Sequence, residues 1–280
     1  MSKSNNIDSI KVKKSKIRKK RIKKSSKDSI VNSSTKEIKF QDMINDVTLG
    51  ESEELIKLIP NNSVDLVITD PPYLMDAERK NNRGTTIHSL QKFDDKEFLA
   101  LCNGFDIDFF LGEFQRVLKK VNMFIFCSNK QVSSLMKWGE DRGYIVNLLV
   151  WHKYNATPFS NGVYKADVEF IVHIREGGSI FKGKSTIKNK VFKIPSVVSK
   201  YGHPTEKPVF FYQRFIDLCA NDGDLILDPF AGSGTLAEAC NHHKNIKNLK
   251  FILFEKSEKY YKVCKERIKG TSKDWSSFFK

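Results

Sequence analysis

Residues 64–73, Val64-Asp65-Leu66-Val67-Ile68-Thr69-Asp70-Pro71-Pro72-Tyr73, run an apolar, β-branched stretch straight into a carboxylate, two prolines and an aromatic ring. The apolar part reads as a buried strand. The four residues that close it therefore sit at a strand's carboxyl end, the edge of an open α/β sheet where ligands bind. The same arrangement recurs downstream. Leu225–Leu227 predicts a strand, Asp228-Pro229-Phe230-Ala231-Gly232-Ser233-Gly234-Thr235 a glycine-bearing loop, and Gly234–His243 a helix. Leu249–Phe254 predicts the next strand, with Glu255 at its end. Asp46–Leu49 is an edge-strand candidate, Asn122–Cys127 another strand, and the apolar runs Tyr144–Trp151 and Val168–Ile174 are able to pair. Helices are expected over Ser52–Ile59, Phe98–Lys120, Ser133–Arg142, Lys207–Ala220 and Tyr260–Lys269. Alternating strands and helices indicate an α/β fold whose mostly parallel sheet carries helices on both faces.

The chain of 280 residues and 32.2 kDa has room for one large domain. No stretch reaches the roughly 18 uninterrupted apolar residues of a membrane span, and the N-terminus lacks a signal peptide's apolar centre, so a soluble, cytoplasmic protein is expected. The cysteines Cys102, Cys127, Cys219, Cys240 and Cys264 are scattered, with no C-x-x-C pair and no ligand-like histidine spacing, so neither a disulfide framework nor a structural metal is inferred. The formal charge of +15 is uneven: residues 1–35 hold twelve Lys or Arg against Asp8 and Asp28. With almost no aromatic or periodic apolar content, residues 1–37 read as a disordered basic arm before a catalytic domain over 38–280. Attraction to nucleic-acid phosphates and a solvated tail are the two readings of that arm.

Two further segments break the periodic pattern. Residues 74–92 read as a mobile loop over the site and a candidate nucleic-acid-contacting segment, with Arg79 and Arg83 as the contacts. Residues 175–200 carry Gly177-Gly178, five lysines from Lys182 to Lys193, and Pro195. They are a candidate nucleic-acid-contacting segment, here represented by Lys182 and Lys184. A variable surface loop is the other reading.

Four elements taken in order carry a resemblance: Val64–Tyr73, then His203-Pro204-Thr205-Glu206-Lys207-Pro208, then the glycine loop, then Phe251-Ile252-Leu253-Phe254-Glu255. From about Asn45 to Ile268 the chain resembles the amino-methyltransferases of DNA, enzymes that use S-adenosyl-L-methionine to methylate the exocyclic nitrogen of adenine or cytosine. Asp-Pro-Pro-Tyr ahead of the glycine loop is the circularly permuted order of the family's β class. The resemblance implies a Rossmann-like S-adenosylmethionine-dependent fold and double-stranded DNA with a flipped target base as substrate. A cognate restriction nuclease is a partner that such a family allows.

An exocyclic amine is a poor nucleophile because its lone pair is delocalised into the ring. Acceptors aimed at its N–H hydrogens favour release of that pair. Asp70 can offer a carboxylate oxygen and Pro71 its carbonyl, while Pro71 and Pro72 stiffen the loop. Tyr73 can stack on the flipped base. The loop after Leu227 would receive the cofactor's methionine end: Gly232 and Gly234 for close approach, Asp228 toward its ammonium, and Phe230 and Thr235 as lining. Glu255 would take the ribose hydroxyls. Family likeness adds Thr205 and Lys207 to the methionine-side pocket and Glu51 near the adenosine, where the family more often has aspartate. Trp151, Lys153, Asn155 and Pro158 resemble a strand-end segment beside the target pocket, with Lys153 a DNA contact; Trp151 reads equally as core. Asp at the head of the motif is typical of N6-adenine enzymes and Ser of N4-cytosine enzymes. A protein amide methyltransferase would begin the motif with Asn and place it after the glycine loop. A catalytically silent DNA-binding relative would not need Asp70, Tyr73, Gly232 and Glu255 intact.

Overall fold

The structure, a computed structural model, describes residues 38–74, 103–156, 164–196, 201 and 205–270. The basic arm, Arg79, Arg83, His203, Pro204 and Pro158 lie outside the described residues.

Eight described strands form one sheet: β1 (Asp46–Leu49), β2 (Leu66–Thr69), β3 (Asn122–Cys127), β4 (Ile145–His152), β5 (Val168–Arg175), β6 (Val191–Lys193), β7 (Leu225–Asp228) and β8 (Lys250–Glu255). Their spatial order is β1-β8-β7-β2-β3-β5-β4-β6. Every neighbouring pair is parallel except β3 with β5 and β5 with β4, so β5 alone among them runs against the rest. From β7 the chain moves outward to β8, and from β2 it moves the other way to β3. The topology therefore reverses between β7 and β2, which is where an open α/β sheet opens its binding crevice.

The central strands are apolar throughout because both faces are covered. Leu66, Val67 and Ile68 have no exposed surface, and each such side chain contributes roughly 1.5 to 3 kcal/mol. On one face Leu66, Ile68, Phe124 and Phe126 pack against helices α5 (Val209–Cys219) and α6 (Thr235–Asn241), and α7 (Glu258–Ile268) adds Cys264. On the other, Val67, Met123, Ile125 and Leu227 meet α3 (Ile107–Val117) and α4 (Asn129–Glu140). Two single-turn helices, α1 (Phe40–Met43) and α2 (Ser52–Leu55), flank β1.

Three sequence expectations are corrected. Of the helix expected over Phe98–Lys120, residues 98–102 lie outside the described residues; the described part becomes helical only at Ile107, after Gly104 with its left-handed φ of 72°, and the Asp106 side chain caps it by accepting from Phe109 N at 3.0 Å. Val64 joins Leu118 through an isolated bridge, and β2 proper starts at Leu66. Residues 175–200 are not wholly irregular: Ser185–Ile187 form a 3-10 turn, and β6 extends the sheet edge beside β4.

Gly139 marks where α4 lies closest to the sheet. A Cβ there would sit 2.7 Å from Val146 Cγ2 and 3.0 Å from Ile174 Cγ2, and both are β-branched side chains with little rotamer freedom. Alanine would gain about 1 kcal/mol in helix propensity, but overpacking costs typically 1 to 3 kcal/mol. Gly139→Ala is therefore expected to lower the urea midpoint of unfolding with an unchanged m-value, and an increased midpoint would show that the helix shifts freely.

Candidate active site

Thr69, Cys127, Asp228 and Glu255 end their strands at one edge of the sheet. Beyond Thr69 the motif loop is fastened by its carbonyls. Gln131 Nε2 donates to Pro72 O at 3.1 Å, Gly104 N to Tyr73 O at 3.2 Å, and Ser128 Oγ to Leu74 O at 3.0 Å. Gln131 also closes the N-terminal box of α4 by accepting from Ser128 N at 3.1 Å. Pro71's carbonyl has no partner among the described residues, and Asp70 Oδ1, shielded from solvent, has none either.

The other Asp70 oxygen is pinned. Lys207 Nζ lies 2.8 Å from Asp70 Oδ2 and 3.3 Å from Glu169 Oε2. The Tyr73 hydroxyl donates to the same Glu169 Oε2 at 3.0 Å, and Lys153 Nζ holds Glu169 Oε1. The Lys207 ammonium also faces the Tyr73 ring at 5.0 Å, a cation–π contact. Two carboxylates thus meet two ammonium groups, and this pairing offsets the cost of holding so many charges out of water. Burial disfavours the Lys207 charge, yet Asp70 and Glu169 raise its pKa above the usual lysine value. Burial would likewise raise Glu169, but Lys207 and Lys153 hold it down to about 2. Asp70 is raised by burial, which outweighs the pull of Lys207. Lys207 serves two carboxylates, and Glu169, with a second lysine, gains the larger share.

The glycine loop lies across the crevice. Thr69 Oγ1 donates to Asp228 Oδ1 at 2.8 Å, tying β2 to β7. Asp228 also accepts from Phe230 N at 3.1 Å and from the Tyr212 hydroxyl at 3.5 Å. Burial pushes its carboxyl up to about 7. Glu255 Oε2 accepts from Gly232 N at 2.9 Å and Oε1 from Ser257 N at 2.7 Å, and burial raises Glu255 to about 7 as well. Gly234 has a left-handed φ of 83°, and a Cβ there would lie 2.6 Å from Cys264 Sγ, so glycine is required twice over. Arg267 clamps the loop from α7. It reaches Ser233 Oγ at 2.9 Å and Thr235 Oγ1 at 3.3 Å while pairing with Glu206 at 3.2 Å and Glu238 at 2.7 Å.

The structure brings together Asp70, Pro71, Pro72, Tyr73, Lys207, Asp228, Gly232, Gly234 and Glu255 at this edge. Glu51 joins them from the end of β1, where Gly50 N donates to Glu255 O at 3.1 Å. Lys207 belongs with the Asp70 carboxylate, and Thr205 meets it through its carbonyl, which accepts from Lys207 Nζ at 3.4 Å. Asp228 is buried, and its oxygens accept from Thr69, Phe230 and Tyr212. Phe230 packs into the core 4.9 Å from Phe110. Trp151 is core, donating from Nε1 to Ile194 O at 2.9 Å, and Asn155 ties its loop to Ser196.

Three of the expected DNA contacts lie among the described residues, with these surroundings. Lys153 turns inward onto Glu169. Lys182 and Lys184 lie at the opposite edge of the sheet: Lys182 N donates to Leu218 O at the end of α5, its Nζ to Asn221 at 2.8 Å, and Ile180 O accepts from Asn122 at the start of β3. The length of β3 separates the two edges, on the order of 17 Å. Glu169, Thr69, Tyr212, Gln131 and Arg267 were not singled out from sequence. Glu169 did leave a signal, as the one acid inside the apolar run Val168–Ile174, because a charge in a buried strand requires a partner.

A nucleotide-type crevice flanked by a Pro-Pro-Tyr loop and a glycine loop defines a Rossmann-like transferase. A model of the DNA methylase family, N6_N4_Mtase, matches residues 64–266. The chain belongs to that family and is a DNA methyltransferase. It is 28% identical over 237 residues to the type II methyltransferase M.HpaI of Haemophilus parainfluenzae, covering 76% of this chain and 70% of that one. To the type II methyltransferase M.HinfI of Haemophilus influenzae it is 24% identical, covering 82% and 70%. Among solved structures, an M1.HpyAVI–SAM complex superposes with a TM-score of 0.58 at 24% identity, covering 80% of this chain and 98% of that one. The PvuII DNA methyltransferase, described as cytosine-N4-specific, gives 0.57 at 17% identity, covering 81% and 90%. These likenesses share the fold. No helix among the described residues is long and apolar enough to cross a membrane.

Asp228 and Glu255, at about 7 in the fold, have ordinary carboxylate values near 4 when unfolded. Between roughly pH 4.5 and 7 the folded protein therefore holds protons that the unfolded chain has lost, and their contribution to stability falls as pH rises through that window. Glu169 works the other way, lending stability that is lost only as pH falls toward about 2. Asp228→Asn keeps the acceptor for Thr69 and Phe230 without the charge. Its thermal midpoint should gain on that of the wild type between pH 5 and pH 7.5, and a constant difference would mean that Asp228 is ionised throughout.

Proposed function

We propose that this DNA methyltransferase transfers a methyl group from S-adenosyl-L-methionine to N6 of adenine in DNA, after the base has been flipped out of the duplex. The observation that carries the reading is the pair of acceptors at the motif that have no partner among the described residues, Asp70 Oδ1 and Pro71 O, beside a tyrosine ring that is already oriented. An exocyclic amine has two N–H hydrogens to offer and one aromatic ring to stack. The bound cofactor supplies an electrophilic methyl on a sulfonium.

The residues divide the work accordingly. Asp70 and Pro71 accept the two amine hydrogens and return electron density to the nitrogen. As the N–C bond forms, the nitrogen must shed one proton, and Asp70, raised by burial, is a better proton acceptor than an ordinary carboxylate. Lys207 fixes the Asp70 carboxylate in place, and Tyr73 recovers part of the stacking lost on flipping. Glu255 keeps free lone pairs on both oxygens after its two backbone contacts and suits a pair of ribose hydroxyls. Gly232 and Gly234 bring the loop close to the methionine end, with Thr235, Phe230, Thr205 and Glu51 as its surroundings. These residues fit the cofactor.

Adenine is favoured over cytosine by Asp70. A TM-score of 0.57 to an N4-cytosine enzyme reflects the shared fold and does not choose the base, whereas Asp at the motif's head resembles the N6-adenine members. The type II names of the relatives support a place in restriction-modification, with a nuclease sharing the recognition sequence.

Nucleoside mass spectrometry of DNA treated with the protein is expected to show N6-methyladenine, and N4-methylcytosine as the sole product would reverse the assignment. Asp70→Ala should lower turnover by at least about 10²-fold while cofactor affinity, read by calorimetry, holds within a few-fold. Lys207 keeps Glu169 as a partner in that variant, and the calorimetric binding of the cofactor checks that the fold is retained.

We further propose that the basic segment 1–37 binds DNA phosphates without choosing sequence. Deleting residues 1–35 should weaken DNA binding and shrink the log–log salt slope by roughly one for each phosphate that the segment neutralises. Equal slopes would mark the segment as a solubility tail.

A further inference from the structure

Glu169 lies where no other strand residue of the site does. Every other strand delivers its residues from a carboxyl end, but β5 runs against the sheet, and its beginning reaches the same edge: Phe170 pairs with Cys127, and Glu169 with Trp151. A single oxygen, Glu169 Oε2, receives both the Tyr73 hydroxyl at 3.0 Å and the Lys207 ammonium at 3.3 Å. Lys153 occupies the other. We propose that Glu169 is a positioning residue for methyl transfer. Through Oε2 it fixes at once the ring that stacks on the target base and the ammonium that pins Asp70. The inference rests on the DNA-methyltransferase reading above and adds a residue to it.

The geometry separates this role from simple charge balance. Lys207 already has a counter-ion in Asp70 at 2.8 Å, so a second carboxylate is not needed to neutralise it. A counter-ion for Lys153 alone would not need the Tyr73 hydroxyl on its second oxygen. With the ring and the ammonium sharing one acceptor, displacing Glu169 displaces both. A misplacement on the order of 1 Å at a reacting centre costs about 10²-fold in rate.

The test uses the full chain, with Glu169→Gln, Tyr73→Phe and the double variant. They are assayed on a duplex bearing the protein's methylation site and on the same duplex with 2-aminopurine in place of the target base. Glu169→Gln should lower kcat by about 10²-fold with KM for the cofactor nearly unchanged. It should also move the acid limb of the pH–rate profile downward, because a negative neighbour of Asp70 has been removed. Tyr73→Phe should cost little more in the Glu169→Gln background, since the two residues act as one unit. Both single variants should alter 2-aminopurine emission in the complex, a readout independent of turnover. Any one of three results would overturn the inference: wild-type kcat in Glu169→Gln, losses that multiply in the double variant, or a kcat loss with the acid limb and the emission unmoved. Should Glu169→Gln fail to fold, Tyr73→Phe, which leaves every charge paired, decides alone: unchanged kcat and emission there would also overturn it. Wild-type turnover in the same assay tests the underlying reading separately.

Discussion

A lysine ammonium buried among two carboxylates and the rings of Tyr73 and Phe126 holds this edge of the sheet together. Lys207 is brought in just ahead of α5, Asp70 follows β2, and Glu169 opens β5. These three segments share no hydrogen-bonded strand pairing with one another, and their common point is one charged atom. Such a cluster is costly to assemble and costlier to break, since removing one partner leaves an uncompensated charge. The Asp70 carboxylate is thereby held by one oxygen with the other left over.

The second constraint is the bond between the two halves of the crevice. Thr69 and Asp228 are 159 residues apart in sequence and 2.8 Å apart in space. Each precedes a functional loop by a single step, Asp70 on one side and Pro229 on the other. The register of the target-base half is thus set against that of the cofactor half by a hydrogen bond buried beneath both. Asp228 is buried along with this tie. Arg267 does for the loop's outer side what Thr69 does beneath it, joining Ser233 to Glu206.

Much of this was legible in the sequence. Buried parallel strands are apolar on both faces, so β2, β3, β7 and β8 stand out within a residue or two of their observed ends, and the motif residues follow because they terminate those strands. What the sequence obscured has physical causes. Glu169 is a lone charge at a strand's beginning, and a beginning is informative only once β5 is known to be antiparallel. The lysines of 175–200 look like one basic segment, but the chain there climbs from one edge of the sheet to the other. Lys182 and Lys184 stay below, while Ile194 and Ser196 arrive above, and charge composition carries no record of that climb. Lys153 illustrates a related ambiguity. A lysine near a target pocket serves equally as a phosphate ligand or as a counter-ion, and only the position of Glu169 decides. Within the described part of the helix expected over Phe98–Lys120, Gly104 and the Asp106 cap hold residues 103–106 out of the helix, both visible as residue types but outweighed by the apolar pattern around them.

The place of β2 between β3 and β7 also has a consequence for how the protein is made. β3 is synthesised soon after β2, but β7 emerges some 160 residues later, and Arg267 later still. At ordinary elongation rates of about 5 to 20 residues per second, the catalytic strand spends on the order of ten seconds or more on the ribosome with one edge unpaired. An unpaired apolar edge is a template for the wrong partner. The order of the motifs thus couples the site to completion of the chain: the Asp-Pro-Pro-Tyr residues are translated early, and they are tied to the glycine loop only once β7 supplies Asp228 to Thr69 and Arg267 clamps the loop.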